Sequence, residues 1–151
     1  MGFDLEGYER LVLAFESKMK KNTAIADIRL DGGKWTLKEM VGHLIDSASN
    51  NHQRFVRLQL AERLSFPGYG AEEWKRVSAV ASFDYEMLVA LWKTYNLFLL
   101  HLIKNMDEGA LDHYWEMDNE RKSLKFLVVD YFSHLGWHQS LFDERVWELG
   151  Q

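Results

Sequence analysis

Two histidines, His134 and His138, stand four residues apart in a stretch rich in apolar residues. Four residues make about 1.1 turns of an α-helix, so both imidazoles project from one helix face, about 6 Å apart along the axis. This spacing suits two ligands of a single metal ion. The alternative is that each imidazole is buried and hydrogen-bonded to a tyrosine or a backbone carbonyl.

The position of the two histidines on their helix favours the metal hypothesis. At 100° per residue, the apolar residues define a core stripe, which consists of Leu124, Leu127, Val128, Tyr131, Leu135, Phe142 and Leu149. His138 lies within this stripe and His134 lies at its edge, so we expect both side chains to point inward. Because a protein interior disfavours an imidazolium, two inward histidines require hydrogen-bond partners or a shared cation.

His43 is the candidate third ligand. It lies one step off the apolar stripe of an earlier predicted helix, and Ser47, Asn50 and Arg54 follow on the same flank. Such a polar flank is typical of a solvent-exposed helix face. However, metal sites in helical bundles are built from inward side chains on facing helices, which is the arrangement that His43 would complete. Three imidazoles plus a water form the open coordination of a catalytic zinc site.

The other histidines have no comparable pattern. We expect His52 to face solvent, His101 stands alone near the end of a predicted helix, and His113 lies in a loop that reaches the site only if it folds inward. Asp46 and Asp130 are candidate partners of the ligands, because a metal-binding histidine usually donates its second N–H to a carboxylate or carbonyl. The alternative for both carboxylates is an exposed position on a helix.

Four predicted helices must position these residues. The chain has one proline, Pro67, and few β-branched runs, which favours long helices over strands. The second helix begins most clearly, because Thr36 and Glu39 have the spacing of a capping box. The four helices are predicted over about Leu5 to Met19, Thr36 to Leu64, Ser82 to Asn105 and Ser123 to Leu149.

Two long connections, residues 65–81 and 106–122, join the predicted helices. They are too aromatic for simple solvated linkers, and we expect them to fold over a helix end or to line a pocket. Their aromatic and histidine residues are Tyr69, Trp74, His113, Tyr114 and Trp115. No internal repeat, low-complexity segment or boundary divides the chain, so the sequence predicts one domain over residues 1–151.

The chain contains no cysteine. This excludes disulfides, cysteine zinc clusters, iron–sulfur sites held by this chain and a thiol nucleophile of its own. Any metal must therefore be held by histidine and carboxylate side chains. A thiolate, if the chemistry uses one, must arrive with a substrate.

Charge and hydropathy limit the partners. The formal net charge is −5, which disfavours non-specific binding to nucleic acid or to an anionic membrane. The N-terminus lacks the basic and apolar pattern of a signal peptide, and polar residues interrupt the most apolar stretch, residues 87–103. We therefore expect a cytoplasmic protein with no nucleic-acid or membrane partner.

Two segments resemble a known family. The segment from Trp35 to Leu44, followed by Asp46 and Arg54, and the segment from Asp130 to His138 are similar to the DinB-like family of damage-inducible helical metalloproteins. The resemblance extends over nearly the whole chain. It implies an all-α fold, a four-helix bundle in up-down-down-up order, with the two aromatic-rich connections outside the bundle.

The same resemblance implies a divalent metal, zinc or nickel, held by one histidine of the second helix and two of the fourth. In this sequence those ligands are His43, His134 and His138. Relatives in the family include transferases and isomerases that use small thiols such as bacillithiol or mycothiol. The implied function is a metal-dependent enzyme that transfers a low-molecular-weight thiol to an electrophile. Arg54 is a candidate residue for binding an anionic group of that substrate; the alternative is an exposed arginine.

Two other functions remain open. The same site could activate water and act as a metal-dependent hydrolase. Alternatively, the chain is a non-catalytic, dimeric ligand-binding or stress protein. The fourth predicted helix supports a homodimer, because it has a second apolar side that another subunit would cover. That side consists of Phe126, Val129, Trp137 and Trp147.

Overall fold

The computed structural model describes residues 2–151, which form five α-helices and a small sheet. The helices are α1 (Leu5–Lys21), α2 (Leu37–Leu60), α3 (Ala71–Ser78), α4 (Tyr85–Lys104) and α5 (Leu124–Leu149). The strands are β1 (Arg63–Ser65), β2 (Tyr114–Met117) and β3 (Glu120–Ser123). Short 3₁₀ turns occupy Thr23–Ile25, Val80–Ser82 and Glu108–Ala110. Within the described range, no helix is both long and apolar enough to cross a membrane.

The four predicted helices are confirmed as α1, α2, α4 and α5, with two corrected boundaries. The second helix ends at Leu60 rather than Leu64, because the chain turns into strand β1. The third begins at Tyr85 rather than Ser82, because Asp84 is its N-cap and accepts a hydrogen bond of 2.8 Å from the Met87 N–H. Helix α3 and the three strands were not predicted.

Helices α1 and α5 run in the same direction. The Tyr8 ring, near the start of α1, stacks on Phe132 in the first half of α5, with ring centroids 4.0 Å apart. Towards the other end of both helices, the Lys18 ammonium lies 2.6 Å from the Asp143 carboxylate. Because an early residue of α1 contacts an early residue of α5 and a late residue contacts a late one, the two helices are parallel.

Helices α2 and α4 both run opposite to this pair. The Tyr85 hydroxyl at the start of α4 donates a 2.9 Å hydrogen bond to the carbonyl of Met19 near the end of α1. Phe55 near the end of α2 packs edge-on against Tyr131 in the first half of α5. Along the chain the four long helices therefore follow the up-down-down-up order that the family resemblance implied.

An aromatic cluster fills the centre of the bundle. Phe15, Trp92 and Phe142 are fully buried and come from α1, α4 and α5. The Phe15 ring packs edge-on against both others, with centroids 5.4 Å apart in each pair. Edge-to-face packing of this kind adds to the stabilisation gained from burial. The predicted core stripe of α5 is buried, apart from the half-buried Leu149.

The sheet covers one flank of the bundle. Strand β1 pairs in parallel with β2, and β2 pairs antiparallel with β3. Between β2 and β3, Asp118 and Asn119 have positive φ angles of 50° and 67°, as a tight two-residue hairpin turn requires. The hairpin places the ring of Trp115 beside the C-terminal half of α2, where it contacts Arg54.

Candidate metal centre

The start of α2 is fixed by reciprocal hydrogen bonds. The Thr36 hydroxyl accepts from the Glu39 N–H at 3.1 Å, and the Glu39 carboxylate accepts from the Thr36 N–H at 2.9 Å, so the predicted capping box is confirmed. Arg29 forms an ion pair of 2.8 Å with the buried Glu39. Because the first turn is held in this way, His43, about two turns further along, has a defined position.

Trp35, directly before this cap, forms one wall around His43. Its ring meets the His43 ring edge-on, with centroids 5.9 Å apart. The indole N–H donates to Glu72 of α3 at 2.8 Å, and the Lys75 ammonium lies 4.3 Å from the ring centroid. Arg145 of α5 donates to the Trp35 carbonyl. Contacts from α3 therefore hold the indole beside the histidine, and the contact from α5 holds the Trp35 backbone.

The centre of the site is a pair of imidazoles from facing helices. The rings of His43 on α2 and His138 on α5 lie 4.9 Å apart between centroids. Burial, followed by the nearby His134, lowers the pKa of His43; burial, followed by His43 and His134, lowers the pKa of His138 to about 4. Both rings are thus neutral at pH 7, the form in which imidazole binds a metal.

The pair fits a divalent transition metal in its donor chemistry. The Nδ1 atom of His43 is buried and has no hydrogen-bond partner within residues 2–151. A buried polar atom left in this state costs free energy unless a further group satisfies it. Neutral imidazole nitrogens are suitable ligands for zinc, nickel, copper or iron.

His134 differs from the sequence-based expectation, because its side chain does not point inward. The side chain is 59% exposed, and its Nδ1 lies 3.4 Å from the carboxylate of Asp130, one turn earlier on α5. Its ring is 6.5 Å from that of His138. In the observed side-chain positions, no three histidine, aspartate or glutamate residues of the described chain form a group that could hold a metal ion.

The two candidate carboxylate partners have different surroundings. Asp130 contacts His134, as described above. The Asp46 carboxylate forms no hydrogen bond or ion pair with another described residue; it lines a groove beside Val80 and Phe83 at the junction of α2 with α4. Burial raises the pKa of Asp46 to about 6. Among the described residues, Asp46 is thus not a hydrogen-bond partner of His43, as a carboxylate that orients a metal ligand would be.

A cavity of about 440 Å³ adjoins the imidazole pair. This volume lies in the range of small-molecule sites. The cavity lining combines apolar and charged side chains, and two of the charged ones, Lys34 and Glu148, form an ion pair of 2.8 Å. The lining side chains include Phe15, Trp35, Met40, Leu44 and Leu141, with Lys34, Glu144, Arg145 and Glu148 as the charged members.

The loop aromatics predicted to line a pocket do not line this cavity. Tyr69 lies on another side of His43, with ring centroids 6.4 Å apart, and Trp74 packs on Tyr69. Tyr114 and Trp115 belong to strand β2, where Trp115 is buried against α2. The cavity is instead built from helices α1, α2 and α5, the segment before α2 and Ala71 of α3, none of which was predicted to line a pocket apart from the histidines.

The remaining histidines lie outside the site. The Nδ1 of His52 is 2.7 Å from the Tyr95 hydroxyl, so this partly buried ring contacts α4 rather than simply facing solvent, as had been expected. His113 donates from Nδ1 to the Leu58 carbonyl at 2.5 Å and thereby ties its loop to α2. His101 is exposed.

Comparisons with known proteins agree with the fold. YfiT from Bacillus subtilis, described as a probable metal-dependent hydrolase with an unusual four-helix bundle topology, has a TM-score of 0.82 at 18% identity, covering 99% of this chain and 90% of that chain. The mycothiol-dependent maleylpyruvate isomerase has a TM-score of 0.63 at 13% identity, covering 91% of this chain but 60% of the isomerase. At these identities the similarity shows a shared fold.

Sequence comparisons identify the family. Among curated proteins none matches the chain. The model of the DinB superfamily matches residues 10–142, which is most of the sequence and includes the three candidate histidine ligands. The chain therefore belongs to the DinB superfamily.

Proposed function

We propose that this protein is a metal-dependent enzyme that transfers a small thiol to an electrophile, with His43, His134 and His138 as the metal ligands. The observation that carries the proposal is the pair of neutral, half-buried imidazoles, 4.9 Å apart, next to a cavity of about 440 Å³. Ligands held on facing helices beside a small-molecule cavity are a common arrangement in bundle enzymes.

Each histidine has its own part in the proposed centre. His43 and His138 are already adjacent, whereas His134 must turn away from solvent to join them. Asp130, now in contact with His134, is suited to orient that imidazole by accepting its second N–H. Zinc or nickel, when bound, would lower the pKa of a coordinated thiol or water.

The other residues around the centre favour a thiol that arrives as a co-substrate. The chain has no cysteine that could supply a thiolate. Apolar walls, including Trp35 and Leu44, would exclude water from the cavity, which protects a reactive thiolate and its electrophile. Because a reduced thiol is maintained in a reducing compartment, we propose a cytoplasmic location.

Hydrolysis is the second candidate function. It uses the same three histidines with water in place of the thiol. The specific observation in its favour is the structural similarity to YfiT, which extends over 90% of that protein and which is described as a probable metal-dependent hydrolase.

The two chemistries are distinguished by product analysis. Protein loaded with zinc or nickel is incubated with an activated ester and with an aryl halide, each with and without a small thiol, and the products are identified by mass spectrometry. We expect a thioether from the aryl halide that forms only when protein and thiol are both present. Ester hydrolysis without thiol would support the second function, and no turnover in any mixture would favour the non-catalytic ligand-binding function.

We further propose that the protein is a homodimer in which α5 of each copy covers the other. One side of α5 carries three large apolar side chains that are between 43% and 56% exposed: Phe126, Val129 and Trp137.

Trp137→Glu is expected to convert the dimer to a monomer, because it places a charge in the apolar contact. Light scattering at micromolar concentration measures this, with the exposed Leu60→Glu as control. A monomeric wild type would contradict the proposal.

A further inference from the structure

Arg54 on α2 is a buried cation with little to balance it. The residue is 7% exposed, and no carboxylate within residues 2–151 forms an ion pair with it. A guanidinium has five N–H donors. Here one hydrogen bond is present, a long contact of 3.5 Å from Nη1 to the Asn51 amide oxygen, and the buried Nε has no partner. A buried charge in this state is costly unless an anion compensates it.

A second cation lies near the same aromatic ring. The Arg54 guanidinium is 4.3 Å from the centroid of Trp115, and the Lys122 ammonium is 5.9 Å from it. Lys122, like Arg54, forms no ion pair with another described residue. Glu116 of the hairpin is already paired with two other arginines of the sheet. A protein of net charge −5 thus concentrates positive charge at this ring.

Tyr69 connects this position with the imidazole pair. Its ring lies 6.4 Å from that of His43, and its hydroxyl is near enough to Arg54 to oppose the lowering of the guanidinium pKa that burial causes. Along α2, Arg54 follows His43 by about 16 Å of helix axis, and a helical side chain points back towards the N-terminus, which shortens the gap. The unsatisfied guanidinium is therefore within reach of a small molecule whose other end is at His43.

We propose that Arg54 and Lys122 bind an anionic group, a carboxylate or a phosphate, of a small molecule. Guanidinium binds both groups through two parallel N–H donors, and the Trp115 ring holds the guanidinium plane in place. Trp115 comes from the hairpin and Tyr69 from the loop after β1, so segments outside the four-helix core cover the group. That this molecule is the substrate or co-substrate of the histidine centre rests on the proposed function.

The test measures anion binding to the metal-free, full-length protein. Its Tm is followed against sodium succinate and sodium phosphate, with chloride keeping the ionic strength constant. We expect a rise in Tm that grows with the logarithm of the anion concentration and reaches on the order of 5–10 °C at 100 times the Kd. A response to succinate alone identifies a carboxylate, and a response to phosphate alone identifies a phosphate.

Matched variants identify the binding residue. Arg54→Gln should abolish the rise, and Lys122→Gln should reduce it. Arg57→Gln should leave it unchanged, because Arg57 is exposed on the same helix and bonded to Gln53. If Arg54→Gln does not fold, the wild-type Arg54 Nε–H resonance is followed by NMR during the anion titration instead, and it must shift along a one-site saturation curve.

Two results would overturn the anion site: no rise in the wild-type Tm with either anion relative to chloride, or equal rises in the Arg54→Gln and Arg57→Gln proteins. Since the titration uses no metal, its outcome is independent of metal binding. Anion binding without a metal centre would refute the proposed function alone, and a metal centre without anion binding would refute this inference alone.

Discussion

Replacing His138 with alanine is expected to weaken binding of zinc or nickel by more than 100-fold. Loss of an outer hydrogen-bond partner of a ligand already costs roughly 10- to 100-fold in metal affinity, and removal of a ligand itself should exceed that. His138 is the central member of the cluster, because its ring contacts those of both His43 and His134. Competition with a chromogenic chelator measures the affinity.

His52→Ala is the matched control for this prediction. His52 lies on α2 as His43 does, but its ring is bonded to Tyr95, away from the candidate centre. We expect the His52 variant to bind metal as tightly as the wild type. Equal affinity in the His138 variant would show that the imidazole pair is not the metal centre.

The largest effect on stability is expected for Phe142→Ala. Phe142 is fully buried in the aromatic cluster, where its ring packs edge-on against Phe15. Truncation removes this contact and leaves a cavity, which for phenylalanine costs about 3–5 kcal/mol. The free energy of unfolding, measured by urea denaturation with circular dichroism, should fall by that amount.

Phe98→Ala is the control, because it removes the same side chain from a position on α4 that is 50% exposed. Phe98 packs edge-on against His52 alone among the described rings. We expect a loss below about 1 kcal/mol, as for most partly exposed positions. Comparable losses in the two variants would contradict the location of the core at the Phe15 cluster.

The long helices were predictable because their determinants are local. The capping box of Thr36 and Glu39 and the apolar repeat of α5 are encoded within a few residues of one another. The same local pattern placed His138 on the core-facing side of its helix, whereas His43 lay one step off the apolar stripe of α2 and became a candidate ligand through the His134 and His138 pair. The separation of 4.9 Å between the His43 and His138 rings depends on the bundle, which the family resemblance indicated and the structure describes.

The elements that were missed depend on distant partners or are short. Strand β1 has three residues and forms by pairing with β2, so that Arg63 lies beside Tyr114. Helix α3 has eight residues, too few for a clear apolar repeat, and none of them is buried. Local sequence patterns do not contain the pairing that forms the sheet.

Two side chains show why site orientation was harder to predict than site position. His134 lies at the edge of the core stripe, where small rotations decide between interior and solvent, and the Asp130 carboxylate one turn earlier holds it outward. Arg54 was placed on a polar flank, yet Trp115 from the unpredicted hairpin buries it. The orientation of His134 and the burial of Arg54 both depend on neighbouring side chains, which the helical spacing of apolar residues does not reveal.

The most direct test of the metal centre is elemental analysis, by mass spectrometry, of tag-free protein after incubation with zinc or nickel and removal of excess metal. The wild type is compared with the His134→Ala/His138→Ala double variant, and circular dichroism verifies that both are folded. We expect about one metal ion per chain in the wild type and none in the variant. A metal-free wild type, or a variant that retains its metal, would contradict this expectation.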